Sequence, residues 1–194
     1  MKHVIYIHGK GGSGAESKHY APLFPGREVL GIEYSAASPW EAVEEFPALV
    51  PEDDYILIAN SIGAYFAMHA LEQKNVERAY FISPVVDMER LIADMMLWAG
   101  VTEAELSARG TIETPFGETL SWPYLCWVRA HPVKWEVPTK ILYGERDNLT
   151  SMETITAFAK RIGAKLTVMP DGEHWFHTPE QMRFLDRWIE EEII

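Results

Sequence analysis

Cysteine is almost missing: Cys126 is the single one in 194 residues. An intramolecular disulfide is therefore excluded, and a reducing cytoplasm is the expected compartment. Positive charge is scarce as well, since 17 Lys and Arg stand against 29 Asp and Glu for a formal net charge of -12. Without a run of Lys or Arg, the chain lacks the electrostatic footprint of a nucleic-acid or anionic-membrane binder. Long apolar runs are the third absence. None approaches the roughly 20 residues that span a bilayer, and the opening Met1-Lys2-His3-Val4-Ile5-Tyr6-Ile7-His8 has too short an apolar core for a signal peptide. Neither repeats nor low-complexity segments are found. The expectation is one soluble domain over 1–194, large enough to bury a core.

Short apolar runs rich in β-branched and aromatic residues recur at Val4–Ile7, Val29–Ile32, Tyr55–Ala59, Ala79–Ile82, Lys140–Tyr143 and Leu166–Met169. They read as six strands buried on both faces. Helix starts lie between most of them: Ser38-Pro39-Trp40-Glu41 and Thr178-Pro179-Glu180-Gln181 each combine an N-cap, a proline at the first helical position and Glu or Gln at the third. Thr150-Ser151-Met152-Glu153 is a similar start. The alternation predicts an α/β fold, a mostly parallel six-stranded sheet with helices on both faces. Residues 86–137 break the rhythm and are expected to be a helical insertion after the fourth strand. Met88, Leu91, Ile92, Met95 and Met96 give a helical stripe there, 102–109 suggests a second helix, and Pro115-Phe116-Gly117-Glu118 could turn a hairpin. Trp98, Trp122, Trp127 and Trp135 fall in the same stretch. A satellite core accounts for them, and the wall of an apolar pocket would too.

Three loops carry the chemistry. Ala59-Asn60-Ser61-Ile62-Gly63-Ala64 joins the third strand to a helix, and its small residues suit a sharp turn where strand and helix backbones nearly touch. It reads as a nucleophile elbow with Ala59 in place of the first glycine of G-x-S-x-G; an ordinary helix cap is the plainer alternative. After the first strand, His8-Gly9-Lys10-Gly11-Gly12-Ser13-Gly14 can present backbone N–H groups to a developing oxyanion. The same loop fits G-x-G-x-x-G with Glu33 near the end of the next strand, a dinucleotide pattern, although Pro22, Pro25 and Gly26 interrupt the helix that pattern needs. A phosphate-binding P-loop is excluded, because Lys10 is not followed by Ser or Thr. A serine nucleophile needs a base and an acid to orient it. Tyr143-Gly144-Glu145-Arg146-Asp147 and Met169-Pro170-Asp171-Gly172-Glu173-His174 place Asp147 and His174 after the fifth and sixth strands. In a parallel sheet those ends share one edge, so Ser61, Asp147 and His174 can converge.

With these residues in this order, the chain resembles the α/β-hydrolase family over nearly its whole length. The resemblance implies Ser61 as nucleophile, His174 as general base and then acid, and Asp147 as its orienting partner. It implies an oxyanion hole from the backbone N–H groups of Ile62 and Lys10, a compact sheet lacking the family's first two strands, and 86–137 as the lid. Asp87 is an alternative acid and His177 a competing base. Asp171, Glu173, His174 and His177 could imitate a metal cluster, but they lack H-E-x-x-H spacing, so neither metal nor cofactor is expected. His3, His19, His69 and His131 have no partner pattern. The function expected is hydrolysis of carboxylic esters, with a small ester or related acyl compound as partner. The alternatives are a thioesterase or amidase with the same residues, or a noncatalytic binding protein of the same fold.

Overall fold

A computed structural model describes residues 3–193; Met1 and Lys2, the start of the stretch considered above for a signal peptide, and Ile194 lie outside the described residues. In chain order the strands are β1 His3–Ile7, β2 Glu28–Ile32, β3 Tyr55–Asn60, β4 Val76–Ile82, the short β5 Thr111–Glu113 and β6 Thr119–Ser121, then β7 Thr139–Gly144 and β8 Lys165–Met169. Six of them form one sheet in the order β2-β1-β3-β4-β7-β8. Every pair in it is parallel. β4 starts earlier than its apolar run because Glu77 is bulged out where Tyr55 pairs with Val76 and Ile56 with Arg78. Polar residues at that bulge hide the start of the strand from a reading of apolar runs.

Alternate strand residues fill two layers, which is why the strands read as continuous apolar runs. On one face Val4, Tyr6, Ile56, Ile58, Tyr80, Ile82 and Leu142 pack with Tyr20, Phe24 and with Leu185, Trp188 and Ile189 of the last helix, α8 Pro179–Ile193. The other face carries Ile5, Ile7, Leu57, Ala59, Phe81 and Ile141, all essentially inaccessible. Each large apolar side chain so buried contributes about 1.5–3 kcal/mol. The helix α3 Ser61–Ala70 lies on this second face, with Gly63 against the Ile7 side chain. Beside α3 packs α2 Pro39–Glu45, begun by Ser38, whose hydroxyl accepts from the Glu41 N–H. The helix α7 Met152–Ile162, capped by Ser151, connects β7 to β8.

The chain divides into two compact units. One runs to Val86 and resumes at Lys134, and the other is Asp87–Val133. The second holds α4 Met88–Ala99, α5 Glu103–Arg109, the antiparallel β5–β6 hairpin and α6 Trp122–Ala130. Arg129 ties its three helices together, donating to Glu89 at 2.6 Å and to both oxygens of Glu103 at 2.7 and 2.9 Å. Among the described residues no helix is long and apolar enough to cross a membrane.

At the amino-terminal edge of the sheet, Glu192 in the last turn of α8 is buried and ion-paired with Lys140 at 2.8 Å and with Lys165. A carboxylate at a helix C-terminus is otherwise unfavourable. Burial opposes its ionisation, but the hydrogen bonds and charges of the two lysines outweigh that and hold its carboxyl below the usual glutamate range. A lowered folded-state value stabilises fully above the unfolded value and is lost as pH falls through the folded one. Glu192→Gln is therefore expected to lower the urea midpoint at neutral pH, and the gap to wild type should close in acid below the ordinary glutamate value of about 4.3. A gap that stays constant with pH would remove the ion pairs from this account.

Candidate active site

Parallel topology brings the carboxyl ends of β1, β3, β4, β7 and β8 to one edge, and the loops beyond them meet there. Ser61 opens α3 directly after β3 and holds φ at +49°, a left-handed conformation that a non-glycine residue adopts at a cost of about 1–3 kcal/mol. The sheet partners of β3 hold one side of this turn, and the Val85 N–H, donating to the Ser61 carbonyl at 3.1 Å, holds the other. A β-carbon on Gly63 would lie 2.2 Å from the His8 carbonyl oxygen, so only glycine lets the β1 loop reach the first turn of α3. Ala59, at the position of the missing glycine, is wholly buried in register between Ile7 and Phe81.

Ser61 Oγ lies 2.8 Å from His174 Nε2, and His174 Nδ1 lies 2.7 Å from Asp147 Oδ2. Asp147 also accepts through Oδ1 from the N–H groups of Leu149 at 2.8 Å and Thr150 at 3.0 Å, so three N–H bonds fix its carboxylate. The carboxylate can only accept, so Nδ1 carries a proton toward it and Nε2 is the nitrogen that faces the serine hydroxyl. The acid and base loops are joined by the Glu145 N–H to the Met169 carbonyl at 3.0 Å and by the Arg146 N–H to the Gly172 carbonyl at 2.7 Å. Tyr143 braces the Asp147 loop: burial, and then the Asp147 charge, push its phenol up to about 12, so it stays a donor to the Thr150 carbonyl at 2.6 Å.

The β1 loop is built rather than slack. Gly12 N–H donates to the Gly9 carbonyl at 3.1 Å, closing a turn with Lys10 and Gly11 at its centre and Gly11 at φ +75°. His8 Nδ1 lies 2.8 Å from the Gly9 oxygen, which can only accept, so that nitrogen carries the proton. Tyr34, its phenol raised to about 12 by burial and then by Glu45 and Glu16, donates to the His8 carbonyl at 2.8 Å and stacks on its ring. Gly14 N–H takes the Glu33 carboxylate at 2.8 Å, the group a dinucleotide site would keep for ribose. The chain then enters a 3-10 turn, Gly14–Glu16, and the four-residue helix α1 Ser17–Tyr20, not the long helix of that pattern. Ile62 is the second residue of α3, and Asn60 in the N-cap position makes no side-chain cap.

The competing residues go elsewhere. Asp87 caps α4 by accepting from the Arg90 N–H at 2.9 Å. His177 Nδ1 donates to the Trp175 carbonyl at 2.8 Å, and Glu173 accepts from the Gln181 amide at 3.3 Å, while Asp171 pairs with Arg146. His19, unmatched in the sequence, bonds Asp186 at 2.7 Å. Sequence reading missed the Asp147 clasp and the Val85 bond. The first has a legible signal, an Asx turn starting at Asp147, whereas the second joins separate loops and has none.

This sheet order, with a strained serine after β3 and Asp147 and His174 after β7 and β8, is the α/β-hydrolase fold. The structure of Est1E from Butyrivibrio proteoclasticus with ferulic acid bound superposes with a TM-score of 0.78 at 17% identity, over 100% of this chain and 88% of that one. Mouse alpha/beta hydrolase domain-containing protein 10 gives 0.77 at 17% identity, over 98% and 89%. A Mycoplasma genitalium protein named esterase/lipase 3 is 36% identical over 73 residues, 34% of this chain and 27% of its own length. The match thus spans about a quarter of that relative. No family model matches.

Replacing Gly63 by Ala places a methyl group against the His8 carbonyl and should destabilise the protein by about 1–3 kcal/mol, although Ala is the better helix former. A thermal midpoint equal to or above that of wild type would show that the two backbones part without penalty.

Proposed function

We propose that this chain is a serine hydrolase that cleaves carboxylic esters through an acyl-enzyme. The observation that carries the reading is the unbroken chain from Asp147 through His174 to Ser61, ending on a serine held at positive φ. Nothing structural requires a buried aspartate, an imidazole and a strained serine in that order; nucleophilic catalysis does. Ser61 Oγ attacks the ester carbonyl as His174 Nε2 takes its proton. The tetrahedral oxyanion is met by the backbone N–H groups of Ile62, at the start of α3, and Lys10, at the tip of the β1 turn. His174 then protonates the leaving alcohol, and water activated by the same nitrogen hydrolyses the acyl-serine.

Ester chemistry is favoured over thioester and amide because Est1E holds ferulic acid and the Mycoplasma relative is named for esterase and lipase activity. The segment 86–137 is the lid of a single 1–194 domain in this reading, supported by its place in the chain between the fourth and fifth strands of the sheet. The lone cysteine fits a reducing cytoplasm.

Intact-mass analysis after fluorophosphonate treatment tests the assignment without presuming a substrate. One adduct is expected on wild type and none on Ser61→Ala or His174→Ala, with Asp147→Asn lowering ester turnover by about 10⁴-fold. Labelling of the folded Ser61→Ala variant, or no labelling of wild type, would overturn the reading and turn attention to noncatalytic binding.

A further inference from the structure

Behind the β1 loop runs a line of side chains that the catalytic reading leaves unused. Asn60, the residue before Ser61, donates its amide to the Tyr6 hydroxyl at 3.0 Å. Tyr6 in turn donates to Glu16 Oε2 at 2.5 Å, and Glu16 Oε1 accepts the Ser13 N–H at 3.1 Å. The line thus begins on the elbow, crosses β1 and ends on the backbone of the loop that carries Lys10. Each link has one workable direction. Burial first, then Tyr20 and Glu16, raise the Tyr6 phenol far above its ordinary value, so it remains a donor, and a carboxylate can only accept. Glu16 also fills space that glycine leaves open. A β-carbon on Gly12 would sit 2.7 Å from Glu16 Oε1, so the carboxylate lies against the turn Gly9–Gly12 itself.

We propose that Glu16, with Tyr6 and Asn60, is the positioning group of the oxyanion loop: its carboxylate, which is not needed to touch substrate, sets the height of the Lys10 and Gly11 peptides relative to Ser61. The inference rests on the serine-hydrolase reading and adds a residue to it. Glu16 joins two structures that must move together. One oxygen holds the loop backbone, and the other reaches, through a phenol, the residue that precedes the nucleophile. The alternative role for Ser13-Gly14-Ala15-Glu16, a capping box at a helix start, accounts for the Ser13 bond. It does not account for the Tyr6 and Asn60 bonds, because a three-residue 3-10 turn needs neither. A displaced donor loses most of its effect on an oxyanion, since displacements near 1 Å already cost about 100-fold in rate.

The test is Glu16→Gln and Tyr6→Phe, assayed with p-nitrophenyl butyrate and normalised to active sites titrated with a fluorophosphonate. Glu16 is exposed, and its amide is isosteric, so the first variant leaves the core intact. It keeps one acceptor oxygen and loses the other. The expected result is a fall of about tenfold or more in kcat per titrated site with KM within about twofold, and an equal loss of affinity for a butylboronic acid, which mimics the tetrahedral intermediate. The double variant should be no worse than the more damaged single one, because both break the same line. A merely structural role would lower the number of titrated sites and leave kcat per site and boronate affinity unchanged, and that result overturns the inference. Wild type that neither labels nor hydrolyses the ester overturns the hydrolase reading itself, so the two failures are distinguishable.

Discussion

The carbonyl oxygen of His8 stands where a side chain at position 63 would have to go. Two backbones, the exit from β1 and the first turn of α3, therefore touch without side chains between them. That approach has two consequences at once. The start of α3 is held close to β1 while the serine joining it to β3 keeps a left-handed conformation, and the loop after β1 lies beside that serine, a β-carbon on Gly9 falling 3.1 Å from the Ser61 β-carbon. A strained residue persists only when its surroundings over-determine it. Here the surroundings are the parallel ladders of β1 and β4 on either side of β3, and the Val85 bond to the serine carbonyl.

Around that contact each loop is tied down by polar groups rather than by packing. Tyr34 holds the His8 carbonyl, Glu33 holds Gly14, Asp147 is clasped by two backbone N–H groups, and Tyr143 holds Thr150. Burial raises both phenols to about 12, which keeps them protonated donors at neutral pH. The arrangement is preorganised in the physical sense: the loop backbone and the imidazole are held in place by bonds within the protein itself.

What could be read from the chain and what could not divide along physical lines. Strands buried on both faces leave unbroken apolar runs, so all six are visible, and β4 loses Val76 together with the polar Glu77 and Arg78 at its bulge. Ser61, Asp147 and His174 were visible because a parallel sheet sends every carboxyl end to one edge, which turns chain order into spatial proximity. Local clasps such as the turn at Asp147 have sequence signatures. The lines that connect distant residues do not: Tyr6 is one more apolar residue of a buried strand until its hydroxyl is seen between Asn60 and Glu16. In the other unit, α6 carries the same Ser and early Pro signal as α2, with Ser121 accepting from the Tyr124 N–H, but its aromatic composition masks the helical period.

The opposite edge of the sheet carries a buried carboxylate with two lysine partners. Glu192 is buried against Lys140 and Lys165, which lie at or near the starts of the two strands whose far ends lead to the acid and base loops. Tyr80 and Lys140 also donate to the Glu192 carbonyl, so the last turn of α8 is latched onto β4 and β7 through both its backbone and its side chain. Polar side chains buried with satisfied partners resist displacement in a way that apolar contacts, which slide, do not. Placing the latch on strand starts keeps it a full strand length from the reacting groups, about 17–20 Å for strands of five or six residues. The strained serine and the buried ion-paired carboxylate therefore lie at opposite ends of the sheet, and the two demands do not fall on the same residues.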